Sequence, residues 1–193
     1  DMYFFPEATA QAAHDTGMRA QVCFPLIDMP TMWGSGPDDY LAKGAELIAQ
    51  WRTNEFIMPA IGPHAPYTIS DQPLAAAVEL SQQTGAAIQM HLHETAFEVD
   101  EALKLTGKRP TDRMADLGVL GSNSQYVHMT QLNEADLDLL AKTGGHIVHC
   151  PESNLKLASG MCPVQTLIDR GLNVTIGTDG AASNNDLDLF SEL

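Results

Sequence analysis

The chain has 193 residues, of which 44% are hydrophobic and 18% charged, a composition that allows an ordinary globular core and excludes a disordered tail. Its 10 basic and 25 acidic residues give a formal net charge of −15, which argues against a nucleic-acid or anionic-membrane partner because phosphate binding needs clustered cations. Three widely spaced cysteines without a CxxC pattern favour a reducing compartment, so we expect a cytoplasmic protein.

Short apolar, strand-like runs alternate with amphipathic, helix-like segments along the chain. The predicted elements are a helix over 6–16, a strand over 20–24, a helix over 38–51, a strand over 56–61, a helix over 70–84, a strand over 87–92, one or two helices over 95–120, a strand over 125–129, a helix over 133–143, a strand over 145–149, a helix over 163–170, a strand over 173–177 and a helical pattern that continues to Leu193. Several strands are apolar nearly throughout, which is typical of parallel strands covered on both faces.

This alternation predicts an α/β fold made of βαβ units around a parallel sheet. The last five strands start about 30 residues apart on average, and a (β/α)8 TIM barrel of about 250 residues has about 31 residues per unit. Six strands would make about three quarters of such a barrel, so we predict one partial barrel domain over 1–193 and expect it to belong to a longer protein. An open doubly wound sheet is the alternative, although no GxGxxG or GxxxxGK[ST] pattern follows any strand.

Side chains with catalytic potential recur where five consecutive predicted strands end. They are His64, His91, His93, Glu94, His128, His149 and Asp179. Active sites of (β/α)8 barrels lie at this end of the strands. Imidazole and carboxylate groups are the usual ligands of a catalytic zinc ion, and a neighbouring Glu can act as a general acid or base. Neither HExxH nor HxE with PCxxC occurs, which excludes two other kinds of zinc site.

Five segments of the chain resemble the amidohydrolase superfamily, and within it the branch of methylthioadenosine/S-adenosylhomocysteine deaminases and chlorohydrolase-like (TRZ/ATZ) proteins. They are GPHAPY, MHLHET, VHMTQL, HCPESNLKLASG and IGTDGAASNNDLDLF. The resemblance spans nearly the whole chain and implies a metal-dependent (β/α)8 barrel, here about strands three to eight, without the first strands and without the family's small β-sandwich.

The resemblance also implies roles for single residues. His91 matches the metal-binding His of strand five, and Asp179 matches the strand-eight Asp that binds metal and accepts a proton from water. Glu94 matches the Glu that contacts the heterocycle and moves protons. His128 matches the strand-six His beside the reacting centre, and His64 matches a substrate-contacting His after strand four.

The chain departs from the family pattern in lacking a strand-one HxH pair, which supplies two further metal ligands in the family. His91-Leu92-His93 has the same spacing, but only 88 residues separate His91 from Asp179, which is room for about three βα units rather than seven. We therefore expect the HxH pair upstream of Asp1 and a structural role for His93.

The function implied by the resemblance is hydrolytic deamination of a purine-type substrate, namely 5′-methylthioadenosine, S-adenosylhomocysteine or adenosine, with release of ammonia. The implied cofactor is one divalent metal ion, zinc first, with iron or manganese as alternatives. Two alternatives remain open: deamination of guanine or another amino-heterocycle or hydrolysis of a chlorinated triazine, and an inactive fragment that lacks the HxH ligands. We expect a small-molecule substrate, no nucleic-acid or membrane partner, and leave a homo-oligomer open.

Overall fold

The computed structural model describes all residues, 1–193, and they form two compact units, Asp1–Met90 and His91–Leu193. Helices alternate with six parallel strands, so the predicted α/β class is confirmed. Within each unit, strands pair with their neighbours in chain order, as in part of a (β/α)8 barrel and without the reversal of strand order that marks a doubly wound sheet. A single partial barrel domain over 1–193 stays a prediction.

The first unit places three helices around the strands β1 and β2 and the start of β3. Its elements are α1 (Pro6–Asp15), β1 (Ala20–Leu26), α2 (Pro37–Trp51), β2 (Ile57–Pro63), α3 (Asp71–Thr84) and β3 (Ile88–Leu92), which continues into the second unit. β1 and β2 pair in parallel over seven residues, from Ala20 opposite Ile57 to Leu26 opposite Pro63. The strands predicted over 20–24 and 56–61 are therefore present, and each extends two residues further at its carboxyl end.

Helix α2 packs closely on β1 because Gly44 has no side chain. A Cβ atom on Gly44 would lie 2.2 Å from the ring of Phe24, which is completely buried. Beside this contact the ring of Trp33 stacks on Tyr40, with centroids 5.7 Å apart and an interplanar angle of 7°. Trp33 is 5% exposed and therefore belongs to the core of this unit.

The second unit contains the end of β3, three complete parallel strands and five helices. Its elements after the end of β3 are α4 (Ala96–Thr106), α5 (Pro110–Asp116), β4 (Ser124–His128), α6 (Glu134–Thr143), β5 (His146–His149), α7 (Pro151–Lys156), α8 (Val164–Asp169) and β6 (Asn173–Ile176). β5 pairs in parallel with β4 on one side and β6 on the other. Their carboxyl ends therefore share one edge, which positions the side chains considered below.

The prediction of a helical pattern that continues to Leu193 is wrong, because the residues after β6 form turns and irregular segments rather than a helix. The Asn184 side chain accepts hydrogen bonds from the backbone N–H groups of Asp186 and Leu187, and Asp188 accepts one from Phe190. Such side-chain contacts compete with helical hydrogen bonds. None of the helices in the chain combines the length and apolar character needed to cross a membrane.

Candidate active site

Strand ends of the second unit carry four of the predicted site residues. His91 is the penultimate residue of β3, His128 and His149 are the last residues of β4 and β5, and Asp179 lies three residues beyond β6. Glu94 follows two residues after β3 ends. The residues therefore occupy the end of the strands where barrel enzymes place their chemistry.

His128 contacts both His91 and Glu94. Its ring stacks on His91 with a centroid distance of 5.5 Å and an interplanar angle of 26°, and its Nε2 lies 3.8 Å from Glu94 Oε2. The His128 side chain is 2% exposed and that of Glu94 is 18% exposed. An imidazole and a carboxylate, both able to transfer protons, thus face each other beside a candidate metal ligand.

The backbone is strained at several of these positions. The φ angles of His93, His128, Met129 and Asp179 are 52°, 79°, 48° and 60°, in the left-handed region that side chains rarely adopt. Each such residue costs on the order of 1–3 kcal/mol, and such conformations cluster at functional sites. The surrounding packing therefore maintains a local geometry that the sequence does not favour by itself.

The carboxylate of Asp179 accepts three hydrogen bonds. Ser153 and Ser183 hydroxyls donate to Oδ2 at 2.6 and 2.8 Å, and the backbone N–H of Gly180 donates to Oδ1 at 2.7 Å. Burial raises the pKa of Asp179, but these hydrogen bonds more than offset that effect and the pKa falls below its ordinary value. Asp179 is therefore ionised at neutral pH, as a metal-binding carboxylate must be.

His149 is half-buried and lies near His128. Burial is the main cause that lowers the pKa of His149. The ring is thus held neutral at neutral pH. Its Nδ1 lies 3.4 Å from the side-chain amide nitrogen of Asn154.

His93 is fully buried and uses both ring nitrogens within the protein. Nδ1 donates to the Gln131 carbonyl at 3.0 Å, and Nε2 accepts from the Thr111 N–H at 3.3 Å. Burial lowers the pKa of His93 to about 4, although the neighbouring charge of Asp136 acts in the opposite direction. With no ring lone pair left for a metal ion, His93 holds the loops after β3 and β4 together.

Sequence reasoning missed Glu98, a carboxylate that is 2% exposed in the first turn of α4. It accepts hydrogen bonds from the backbone N–H groups of His93 at 2.8 Å and Glu94 at 2.9 Å, and so fixes the segment that carries Glu94. Burial is the main cause that raises the pKa of Glu98 to about 7. The pattern Thr95-x-x-Glu98 before an apolar helix, a capping box signature, could have identified it.

His64 lies in the first unit, directly after β2. Its Nδ1 is 3.1 Å from the Thr68 hydroxyl, and its backbone N–H donates to the Leu26 carbonyl at 3.0 Å. The side chain is half-buried at the carboxyl end of β2. Its predicted contact with substrate stays a prediction.

The sequence predicts that the His91 imidazole and the Asp179 carboxylate hold a metal ion, and this assignment stays a prediction. Both are standard ligands of a divalent ion, and the hydrogen bonds to Asp179 keep it ionised. No three His, Cys, Asp or Glu side chains are grouped so that they could hold a metal ion by themselves. The two residues fit a divalent ion, but a catalytic zinc site normally has three protein ligands.

A family model described as Amidohydrolase family matches residues 1–193. The chain belongs to the amidohydrolase family. This assignment confirms the resemblance drawn from the strand-end motifs and the fold expected from it.

Two more specific similarities involve deaminases. The chain is 56% identical over 193 residues to a 5-methylthioadenosine/S-adenosylhomocysteine deaminase of Saccharophagus degradans, covering 100% of this chain and 43% of the relative. It is 47% identical to an adenosine deaminase from Xanthomonas campestris, solved with bound zinc, at a TM-score of 0.96 over 98% of this chain and 43% of that one. The chain thus spans less than half the length of these relatives.

An atrazine chlorohydrolase from Arthrobacter aurescens, solved with zinc, is a more distant structural relative. It is 20% identical, with a TM-score of 0.89 over 97% of this chain and 45% of that chain. At this identity the similarity supports the shared fold alone.

Proposed function

We propose that this chain forms part of a metal-dependent hydrolytic deaminase that removes the exocyclic amino group of an adenosine-type substrate as ammonia. The substrates proposed first are 5′-methylthioadenosine, S-adenosylhomocysteine and adenosine. The observation that carries the proposal is the pairing of Glu94 and His128, two proton-transferring groups 3.8 Å apart beside His91. The 56% identity to a deaminase supports the same chemistry.

Deamination requires a proton on the heterocycle, a water molecule activated for attack, and a proton for the departing amine. We assign the first task to Glu94, whose carboxyl group donates a proton to a ring nitrogen and makes the adjacent carbon electrophilic. His128 holds the attacking water by a hydrogen bond to Nε2. Asp179, ionised through its three hydrogen bonds, accepts the proton that this water loses and then delivers it to the departing amine, which leaves as ammonia. Glu94 recovers its proton from the hydroxyl group on the attacked carbon as the carbonyl of the product forms.

His91 and Asp179 are the residues of this chain that would hold the metal ion. The ion held there would supply activation of water by lowering its pKa toward about 7, with zinc the first candidate and iron or manganese the alternatives. We assign substrate binding to Glu94 and, in the first unit, to His64. The substrate is a small molecule, and we infer a cytoplasmic location from the three free, buried cysteines.

The second candidate function keeps these residues and changes the leaving group to the amino group of guanine or the chloride of a triazine. The pairing of Glu94 and His128 also favours this candidate, because proton transfer can serve either leaving group. The third candidate is that this chain alone is inactive, because we assign only two metal ligands to it.

A substrate panel tests the proposal. A protein of the relatives' length that contains this chain is loaded with zinc and offered 5′-methylthioadenosine, S-adenosylhomocysteine, adenosine, guanine and atrazine. We expect the highest kcat/KM for ammonia release from one of the three adenosine-type compounds. Preferred turnover of guanine, or chloride release from atrazine without ammonia release from adenosine compounds, would replace the proposal by the second candidate.

A further inference from the structure

Asn154 places one side-chain amide between two imidazole rings. It lies in α7 and is 1% exposed. Its Oδ1 is 2.8 Å from His128 Nδ1, and its Nδ2 is 3.4 Å from His149 Nδ1. The backbone of Asn154 is also held at both ends, since its N–H donates to Cys150 and its carbonyl accepts from Ser159.

The oxygen and the nitrogen of an amide require opposite hydrogen-bonding roles of the two rings that they contact. The amide oxygen accepts hydrogen bonds and the amide nitrogen donates them. His128 must therefore carry its proton on Nδ1, whereas His149 must present a lone pair there. A neutral imidazole has one donor and one acceptor, so Nε2 of His128 bears a lone pair and Nε2 of His149 bears a proton.

We propose that Asn154 is a positioning residue that sets complementary tautomers on His128 and His149. The Nε2 lone pair of His128 is then directed toward the region of Glu94 Oε2, 3.8 Å away, where it can accept a hydrogen bond from the attacking water. His149 keeps an Nε2–H donor, suited to a ring nitrogen or hydroxyl of a nucleoside. The kinetic consequence rests on the proposed function, whereas the tautomers do not.

The tautomers can be measured directly by ¹⁵N NMR of the histidine-labelled, full-length protein at fixed neutral pH. The resonances of His128 and His149 are assigned from His128→Gln and His149→Gln samples. We expect pyrrole-type Nδ1 and pyridine-type Nε2 signals for His128, and the reverse for His149. Equal tautomers on the two rings, or a doubly protonated His128, would overturn the proposal.

Two substitutions separate positioning from a general structural role. Asn154→Asp keeps the acceptor facing His128 but loses the donor facing His149, so His149 should move its proton to Nδ1 while His128 retains its own. Asn154→Leu removes both hydrogen bonds, and both rings should show the averaged signals of an unconstrained imidazole. Unchanged signals in Asn154→Leu would contradict the proposal.

Asn184 is the matched control, because it is another buried amide of the same unit and its side chain bonds Glu192 rather than a histidine. Asn184→Leu should leave both tautomers as in the wild type.

Steady-state kinetics provides a second measurement. Asn154→Leu should lower kcat about 10-fold to 100-fold with a smaller change in KM, and Asn154→Asp should recover part of that loss. Correct tautomers with no deaminase activity at all would refute the proposed function and leave the assignment of Asn154 intact.

Discussion

Glu94 is the side chain on which the proposed chemistry depends most. In a Glu94→Gln variant the shape is preserved but the group cannot ionise, so kcat should fall by about 10²–10⁴-fold, the usual contribution of a positioned acid–base group. Steady-state kinetics with metal analysis checks this, and metal content should stay near the wild-type value. Glu101→Gln is the control, because Glu101 pairs with Lys104 on the surface of α4. A near-normal kcat with a raised KM would make Glu94 a binding residue only.

The two proposed metal ligands can be distinguished from His93 by metal content. His91→Ala and Asp179→Ala should each lose most bound metal, because each removes one ligand of an already small set. His93→Gln should retain it, since the ring nitrogens of His93 are engaged by Gln131 and Thr111. Elemental analysis of the purified full-length variants decides. Equal metal loss in all three would place His93 among the ligands.

Glu98 should make stability depend on pH with a definite sign. Its folded pKa of about 7 lies above the ordinary 4.5, so its contribution is fully present below pH 4.5 and is lost as pH rises through 7. The Glu98→Gln variant lacks this contribution. The free energy of unfolding at pH 4.5 minus that at pH 7.5 should therefore be smaller in the variant than in the wild type, by on the order of 3 kcal/mol. Urea unfolding at both pH values measures the difference. Identical pH dependence in the two proteins would show that Glu98 is not perturbed.

His93 makes the free energy of unfolding depend on pH with the opposite sign, over an overlapping pH range. Its folded pKa of about 4 lies below 6.5, so its contribution is present above pH 6.5 and lost on acidification. The wild-type profile combines both groups, which is why the comparison with Glu98→Gln isolates the carboxylate.

The sequence located the strand ends well but not the contacts between them. His128 and Asp179 could be placed because each follows a recognisable apolar run. Asn154 and His128 are 26 residues apart, and no spacing rule shows that they share a hydrogen bond. The left-handed backbone at His128 was equally unpredictable, since tertiary packing imposes it against the residue's own preference.

At the scale of elements, the contact of α2 with β1 depends on the absence of a side chain at position 44. Gly44→Ala should destabilise the protein by about 1–3 kcal/mol, because the buried Phe24 ring cannot move away, although better helix propensity offsets part of the loss. Gly121→Ala is the matched control, since a Cβ there meets no atom within 4 Å. Chemical denaturation compares the variants. Equal stability of both would mean that the interface adapts without cost.

Helix ends were predictable where local chemistry decides them. Asn133 caps α6 in a reciprocal capping box with Asp136, as its position before the helix indicated. The prediction failed for the last residues because Leu187 and Phe190 fit a helical pattern, whereas the side chains of Asn184 and Asp188 accept hydrogen bonds from backbone N–H groups. Apolar periodicity shows where apolar residues lie. It does not show whether side-chain hydrogen bonds to the backbone replace those of a helix.

At the scale of the whole molecule, the number of metal ligands sets the expected activity. The 193-residue chain expressed alone should show no deaminase activity, because His91 and Asp179 fall short of the three protein ligands of a catalytic zinc site. Ammonia release from 5′-methylthioadenosine with added zinc measures this. Substantial turnover by the isolated chain would mean that it supplies a further ligand.

Hydrolytic deamination itself is tested most directly by isotope incorporation. The zinc-loaded protein of the relatives' length is incubated with 5′-methylthioadenosine in ¹⁸O-labelled water, and ammonia and product mass are measured together. We predict one labelled oxygen in the purine product for every ammonia released, because water replaces the amino group. Absence of ammonia, or ammonia release without labelled oxygen in the product, would contradict the account.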